Sequence, residues 1–171
     1  MFLSCCDAPT TADYKGSPMS GFIGQAATQP FVLSNDPFFP EIDATDLRAS
    51  VRLSGDVSDK RLETAIVDAM LTTNRELKDK KAEWLAAGHT ALAQVDPATI
   101  ANRNALEQLY TRAVQALVAA EHAERYRGYD ATASGVREDA EQLPTADDYR
   151  RDYRHALRDL LGTGHATIEL I

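Results

Sequence analysis

With 171 residues, the chain has the length of about one ordinary domain, large enough to bury a core without disulfides or metal ions. Apolar residues make up 44% of it and charged residues 26%, a balance typical of soluble globular proteins rather than disordered or membrane-embedded chains. The formal net charge is -8 and no dense run of lysines or arginines occurs, which disfavours a conventional DNA-binding protein. No stretch approaches the roughly 20 apolar residues that span a bilayer.

The first 30 residues differ in composition from the rest of the chain. Residues 1–30 are rich in small residues and proline, with few large apolar side chains and no sustained period. They cannot bury enough surface to fold alone, so we predict an extended or flexible N-terminal arm followed by one domain, residues 31–171. Cys5 and Cys6 are adjacent, which suits free thiols in a reducing cytoplasm better than a metal knuckle or a disulfide framework. Met19 is a candidate second translation start.

The first strongly marked segment is NDPFFPEID, residues 35–43, in which prolines bracket Phe38 and Phe39 and hold the backbone extended. Two interpretations are open for these rings. They either complete the core of their own chain, which we favour, or insert into a neighbouring subunit. A short helix is expected next, from about Asp43 to Leu53.

The spacing of apolar residues then predicts a first long helix. Ser58 is a good N-cap, the apolar residues that follow share one helical face, and Gly88 ends the helix after about Ala87. The helix carries a cluster of lysines, for which a solvated face is favoured over a binding site: Lys78, Lys80 and Lys81.

A second long helix is predicted to begin at Asp96 and Pro97, the N-cap and first helical position, and to run to about Arg127. Its middle is rich in alanine, which permits close approach of another helix. The polar stretch from Gly128 to Pro144 lacks a period and is predicted to be a loop.

A third long helix is predicted from Thr145, with Asp148 three residues later as a near relative of the capping box, to the glycine at Gly162. The last residues alternate in polarity with the β-branched content of a strand. A lone apolar strand at a chain end is suited to pairing with an edge of another subunit. This C-terminal β-strand comprises Ala166, Thr167, Ile168, Glu169, Leu170 and Ile171.

No catalytic template fits the sequence, because a P-loop and an HExxH motif are both missing. A di-metal carboxylate bundle needs two carboxylate-x-x-histidine pairs, and Asp152 with His155 is the only one here. His122, between two glutamates, is interpreted as surface charge pairing rather than as a general base. We therefore expect no catalytic residue, no cofactor and no metal site, and hence no enzyme.

Three stretches together resemble the head completion, or gpL-type, proteins of contractile-tailed bacteriophages. They are NDPFFPEID, then AERYRGYD after the second long helix, and DDYRRDYRHALRDLLGTGHATIELI at the end, which is the most specific. The resemblance covers roughly residues 31–171 and leaves out the arm.

The resemblance implies a virion protein, made in the host cytoplasm, that assembles as a homo-oligomeric twelve-fold ring under the portal protein once DNA is packaged. Such a ring extends the DNA channel, lets DNA pass without specific binding, and offers a docking surface at the neck for neck, tail completion or tail terminator proteins. No membrane contact is implied. By similarity, residues 166–171 are assigned to contact with the portal or a neighbouring subunit, with Ile168, Leu170 and Ile171 as anchors.

The sequence thus predicts a mainly α fold: a bundle of three long helices plus a short N-terminal helix, an extended N-terminal arm and a C-terminal β-strand. A small helical adaptor or regulatory protein of the host, binding a partner through its free strand, would explain the helices equally well. It would not explain the family motifs.

Overall fold

The computed structural model describes residues 31–51, 53, 57–130 and 144–163, and of residues 126–130 it describes the backbone alone. In this part of the chain the fold is mainly helical, as predicted. The predicted arm, residues 1–30, and the predicted strand, residues 166–171, lie outside it. The elements in chain order are β1 (Val32–Leu33), β2 (Ile42–Asp43), α1 (Ala44–Ser50), α2 (Asp59–Glu76), α3 (Lys78–Ala86), a 3₁₀ turn (Leu92–Gln94), β3 (Thr99–Ile100), β4 (Arg103–Asn104), α4 (Ala105–Asp130) and α5 (Ala146–Leu161).

The short N-terminal helix α1 is present where the sequence predicts it. The Oδ1 atom of Asp43 accepts hydrogen bonds from the N–H groups of Thr45 at 2.7 Å and Asp46 at 3.3 Å, so Asp43 is its N-cap. Strands β1 and β2, which pair antiparallel just before it, fix its direction. The helix ends at Ser50, three residues before the predicted end.

The first long helix is divided, which corrects the prediction of one helix to Ala87. Leu77 lies between α2 and α3 with ψ near 1°, which breaks the regular helical path. Its side chain is fully buried, and Trp84 of α3 lies in the aromatic core, where its ring stacks on Phe38. The sequence does not predict this break, because no glycine or proline lies near Leu77 and the apolar spacing continues from α2 into α3. Ser58 is the N-cap residue, but its side chain makes no capping hydrogen bond.

The second long helix begins later than predicted, at Ala105 instead of Pro97. The Asp96 carboxylate accepts a hydrogen bond from Ala98 N–H at 2.9 Å and so stabilises a turn. The hairpin β3–β4 follows, and Asn104 then caps α4 by accepting hydrogen bonds from the N–H groups of Leu106 at 3.0 Å and Glu107 at 3.2 Å.

The third long helix, α5, has the predicted bounds. Thr145 Oγ1 accepts a hydrogen bond from Asp148 N–H at 3.3 Å, and the Asp148 carboxylate accepts one from Thr145 N–H at 2.9 Å. This reciprocal pair is a complete capping box. Gly162 ends the helix with φ of 67°, a left-handed conformation that glycine adopts without strain.

Helix α4 is the central helix of the described fold, because it packs against both α2 and α5. Its alanines do allow close approach: Ala113 and Ala116 contact Ala156 and Tyr153 of α5 in one apolar cluster. A second, larger cluster joins α1, α2, α3 and residues 35–43, here called the Phe segment, to α4 and to Leu160 of α5. In the described ranges, no helix has the length and apolarity that a membrane crossing requires.

Candidate assembly site

The Phe segment, residues 35–43, is anchored to its own chain through both aromatic rings. Phe38 and Phe39 are 4% and 5% exposed. Phe38 stacks on Trp84 with ring centroids 5.9 Å apart, and Phe39 stacks on Tyr110 at 4.9 Å. The two phenylalanine rings meet edge to face at 5.3 Å. The segment therefore forms a continuous aromatic row between α3 and α4.

A closed ring of hydrogen bonds fixes the beginning of the same segment. Asn35 Nδ2 donates to the Tyr110 hydroxyl at 2.8 Å, which donates to Asn74 Oδ1 at 2.6 Å. Asn74 Nδ2 donates back to Asn35 Oδ1 at 2.9 Å. Each group in this triad of Asn35, Asn74 and Tyr110 is both donor and acceptor, an arrangement in which hydrogen bonds polarise one another. The triad ties the Phe segment to α2 and α4 at once.

A salt bridge completes the attachment. Lys81 Nζ lies 2.6 Å from Asp36 Oδ1, and that carboxylate also accepts a hydrogen bond from Phe38 N–H at 3.0 Å. The contact with Lys81 and, to a smaller extent, the hydrogen bond from Phe38 N–H hold the pKa of the Asp36 carboxyl below its usual value. Lys81 Nζ also lies 5.6 Å from the Phe39 ring centroid. Of the lysine cluster interpreted as a solvated face, Lys81 thus makes specific contacts.

The triad supports a direct stability prediction. Burial raises the pKa of Tyr110 to about 12 and leaves its hydroxyl dependent on protein partners. Tyr110→Phe removes the hydroxyl's hydrogen bonds to Asn35 Nδ2 and to Asn74 Oδ1. Each such bond contributes about 0.5–1.5 kcal/mol, so we expect the free energy of unfolding at pH 7 to fall by about 1–3 kcal/mol. Urea denaturation measures this, with Tyr149→Phe on α5 as the matched control, expected within about 0.5 kcal/mol of wild type.

The same variant has a pH signature. The folded-state pKa of Tyr110 is above the ordinary value of 10, so its stabilising contribution is complete below pH 10 and is lost as the pH rises toward 12. The difference in unfolding free energy between wild type and Tyr110→Phe should therefore shrink across this range. A difference that stays constant from pH 9 to pH 12 would show that the hydroxyl is not buried in the triad.

The sequence does not predict the residues that hydrogen-bond to the beginning of the Phe segment. Asn74 and Tyr110 are separated from Asn35 by 39 and 75 positions, and nothing local to any of them signals the pairing. The sequence pattern indicates only the Phe segment itself, through the prolines on either side of its two phenylalanines. The C-terminal residues Ala166 to Ile171, predicted as a contact strand, lie outside the described residues.

The histidine and carboxylate side chains of the described residues do not cluster into a metal site. In the described ranges, no group of three or more histidine, cysteine, aspartate or glutamate side chains could hold a metal ion. Of the glutamates near His122, Glu121 pairs with Arg125 and Glu124 pairs with Arg150 of α5. Burial lowers the pKa of His122. The ion pair between Glu124 and Arg150 joins α4 to α5 near one end of the helix pair.

Comparison with known proteins identifies relatives of the chain. The sequence profile of the family described as phage head completion protein (GPL) matches residues 33–171. The head completion/stabilization protein of Escherichia phage P2 is 36% identical over 161 residues, which are 92% of this chain and 95% of that protein. No solved structure matches the chain significantly. The similarity thus spans the Phe segment, the helices and the C-terminal residues.

Proposed function

Because this chain belongs to the phage head completion protein (GPL) family, we propose that it is a head-tail adaptor which forms a ring below the portal. Membership makes it a bacteriophage virion protein that acts in head completion and interacts with other head and tail proteins. The finer proposal is that the ring assembles after DNA packaging, extends the DNA channel at the neck, and provides the docking surface for neck or tail proteins. The match over residues 33–171 is the observation that carries it.

The acidic composition is consistent with a channel wall that DNA passes. A net charge of -8 repels phosphate and so disfavours tight binding of the genome. The family is one of structural proteins, and we propose no catalytic step, cofactor or metal for the chain. The family match over residues 33–171 and the phage relative, which covers 92% of this chain, support this role over the alternative of a host adaptor protein.

We assign the portal or intersubunit contact to residues 166–171, on the alternation of their sequence and on their inclusion in the family match. Apolar residues of such a segment, Ile168, Leu170 and Ile171, would supply the affinity. The Phe segment is assigned to packing, with its rings in the core of their own chain. A contact with an adjacent copy through the outside of this segment stays a prediction.

The experiment is a reconstitution of purified chain with the portal ring of its phage, viewed by negative-stain electron microscopy and quantified by pull-down. We expect rings on the portal with the full chain and none with the chain lacking residues 166–171. Ile168→Asp with Leu170→Asp should reproduce the loss, whereas the matched changes Thr167→Ser with Glu169→Gln in the same segment should not.

The outcomes separate the parts of the proposal. Rings formed equally by the shortened chain would remove the assignment of residues 166–171 and leave the adaptor role intact. Failure of the full chain to bind the portal would contradict portal binding itself.

A further inference from the structure

The outer side of α5 carries arginines at helical spacing, Arg151, Arg154 and Arg158, here called the arginine ridge. All three side chains are exposed, and they follow one another at i, i+3 and i+7 on the face opposite the buried Tyr153, Ala156 and Leu160. Arg151 pairs with Asp148 at 3.1 Å. Arg154 and Arg158 form no ion pair within the described part of the chain. Two planar guanidinium groups are thus available to a partner's carboxylates.

A shallow groove of opposite character lies beside the start of α4. It has a volume of about 470 Å³, and of its side chains two are carboxylates, Glu41 and Glu107, against one cation, Arg103. Neither carboxylate forms an ion pair with a described residue. Amide groups supply further oxygen acceptors for a guanidinium. We call this the acidic groove, and its lining residues are Pro40, Glu41, Asn102, Arg103, Asn104, Glu107, Gln108, Thr111 and Gln115.

The ridge and the groove lie on opposite sides of the bundle. Successive residues of a helix are about 100° apart around its axis. The groove residues Glu107, Thr111 and Gln115 recur at i, i+4 and i+8, so they share one side of α4. The α4 residues that contact α5, Ala113 and Ala116, lie about half a turn around the helix axis from these groove residues. Because α5 carries the arginine ridge on its far side, ridge and groove face outward in opposing directions.

We propose that the arginine ridge of one copy docks into the acidic groove of the next copy and so forms the lateral contact of the ring. This inference rests on the proposed adaptor ring and names its subunit interface. Two different, complementary surfaces on one chain are what a head-to-tail contact requires, and such a contact closes into a ring when the rotation between copies is right. Opposed placement lets every copy use both surfaces at once.

A second copy fits the ridge better than DNA does. Four aspartates, Asp147, Asp148, Asp152 and Asp159, lie on the same helix as four arginines, so α5 has no net positive charge. A phosphate backbone would meet these carboxylates together with the arginines, and the whole chain carries -8. A protein groove with amides and one arginine among its carboxylates complements such a two-sign surface.

A charge-reversal experiment tests the pairing on full-length protein assembled on the portal ring. One variant carries Glu41→Arg with Glu107→Arg, and the other Arg154→Glu with Arg158→Glu. Each alone should reduce ring occupancy at sub-saturating concentration at least about tenfold, since like charges then face each other. An equimolar mixture should restore rings, because the reversed groove of one variant meets the reversed ridge of the other.

The matched control reverses two exposed carboxylates away from both surfaces, Asp68→Arg with Asp79→Arg, and should assemble as wild type. Circular dichroism checks that each variant is folded. Single variants that assemble normally, or folded variants that fail to assemble even when mixed, would overturn the pairing while the adaptor ring stands. Loss of DNA retention by the ridge variant with rings intact would assign the ridge to DNA instead. If wild-type protein forms no ring on the portal, the proposed function fails and this interface fails with it.

Discussion

Replacing Phe39 by alanine is expected to lower the free energy of unfolding by about 3–5 kcal/mol, the largest effect of a single substitution proposed for this chain. The ring is 5% exposed, stacks on Tyr110 and meets Phe38 edge to face. Its loss leaves a cavity that cannot close easily, because the triad ties the backbone of the Phe segment to α2 and α4 and the salt bridge of Asp36 ties it to α3.

Chemical denaturation of the isolated chain measures this effect. Leu71→Ala is the control, since this α2 side chain is 62% exposed and its truncation should change stability by about 0.5 kcal/mol or less. A loss below about 1 kcal/mol for Phe39→Ala would contradict the core position of the ring in the free chain. It would favour the other interpretation of the sequence, in which the ring is reserved for a neighbouring subunit.

Replacing Ala156 by leucine is expected to lower the free energy of unfolding by about 1–3 kcal/mol, through crowding rather than through a cavity. Ala156 and Ala113 are both fully buried where α5 contacts α4. A leucine has three more carbon atoms than the alanine it replaces, and the interface has no space for them. The two helices must therefore separate, or the side chain must leave its preferred rotamer.

Thermal unfolding with circular dichroism measures the change. Ala82→Leu on the exposed side of α3 is the matched control, because the same substitution there meets solvent and should change stability by about 0.5 kcal/mol or less. If Ala156→Leu left the melting temperature unchanged, the close approach of α4 and α5 would be wrong.

The parts of the fold that the sequence predicts well are those with local signals. Thr145 and Asp148 are three residues apart, and both hydrogen bonds of their capping box form within one helical turn. Gly162 ends α5 where a left-handed residue is required. The alanines of α4 correctly indicate a close helix contact, because small side chains let a neighbouring helix approach closely whichever helix it is.

The wrong start predicted for α4 arises where side-chain hydrogen bonds of single residues decide the backbone conformation. Asp96 and Pro97 have the residue types of a helix start, yet the chain there forms a turn, and Asn104 begins α4 instead. The hairpin between them places Ala101 and Asn102 at positive φ, 52° and 60°, without a glycine to announce it. The Asn104 side chain bonds the Ala93 and Asp96 carbonyls, which helps to hold this hairpin against α4.

The anchor of the Phe segment illustrates the same limit for the candidate site. Apolar content and two prolines mark the segment itself, but its polar partners come from α2 and α4 and carry no local pattern. Lys81 belonged to a cluster that composition alone assigns to solvent, and a single aspartate 45 residues away gives it a specific role. The head-completion role follows from family membership over residues 33–171, whereas the interface proposed above rests on charges that the fold places on different helices.

The most direct measurement for the adaptor ring is a cryo-electron microscopy reconstruction of the neck in mature virions of the phage that encodes this chain. We predict a ring of copies directly below the portal, in lateral contact, enclosing the DNA channel and touching the first tail component. Virions in which that position is occupied by another protein, or in which this chain lies elsewhere in the head, would contradict the account.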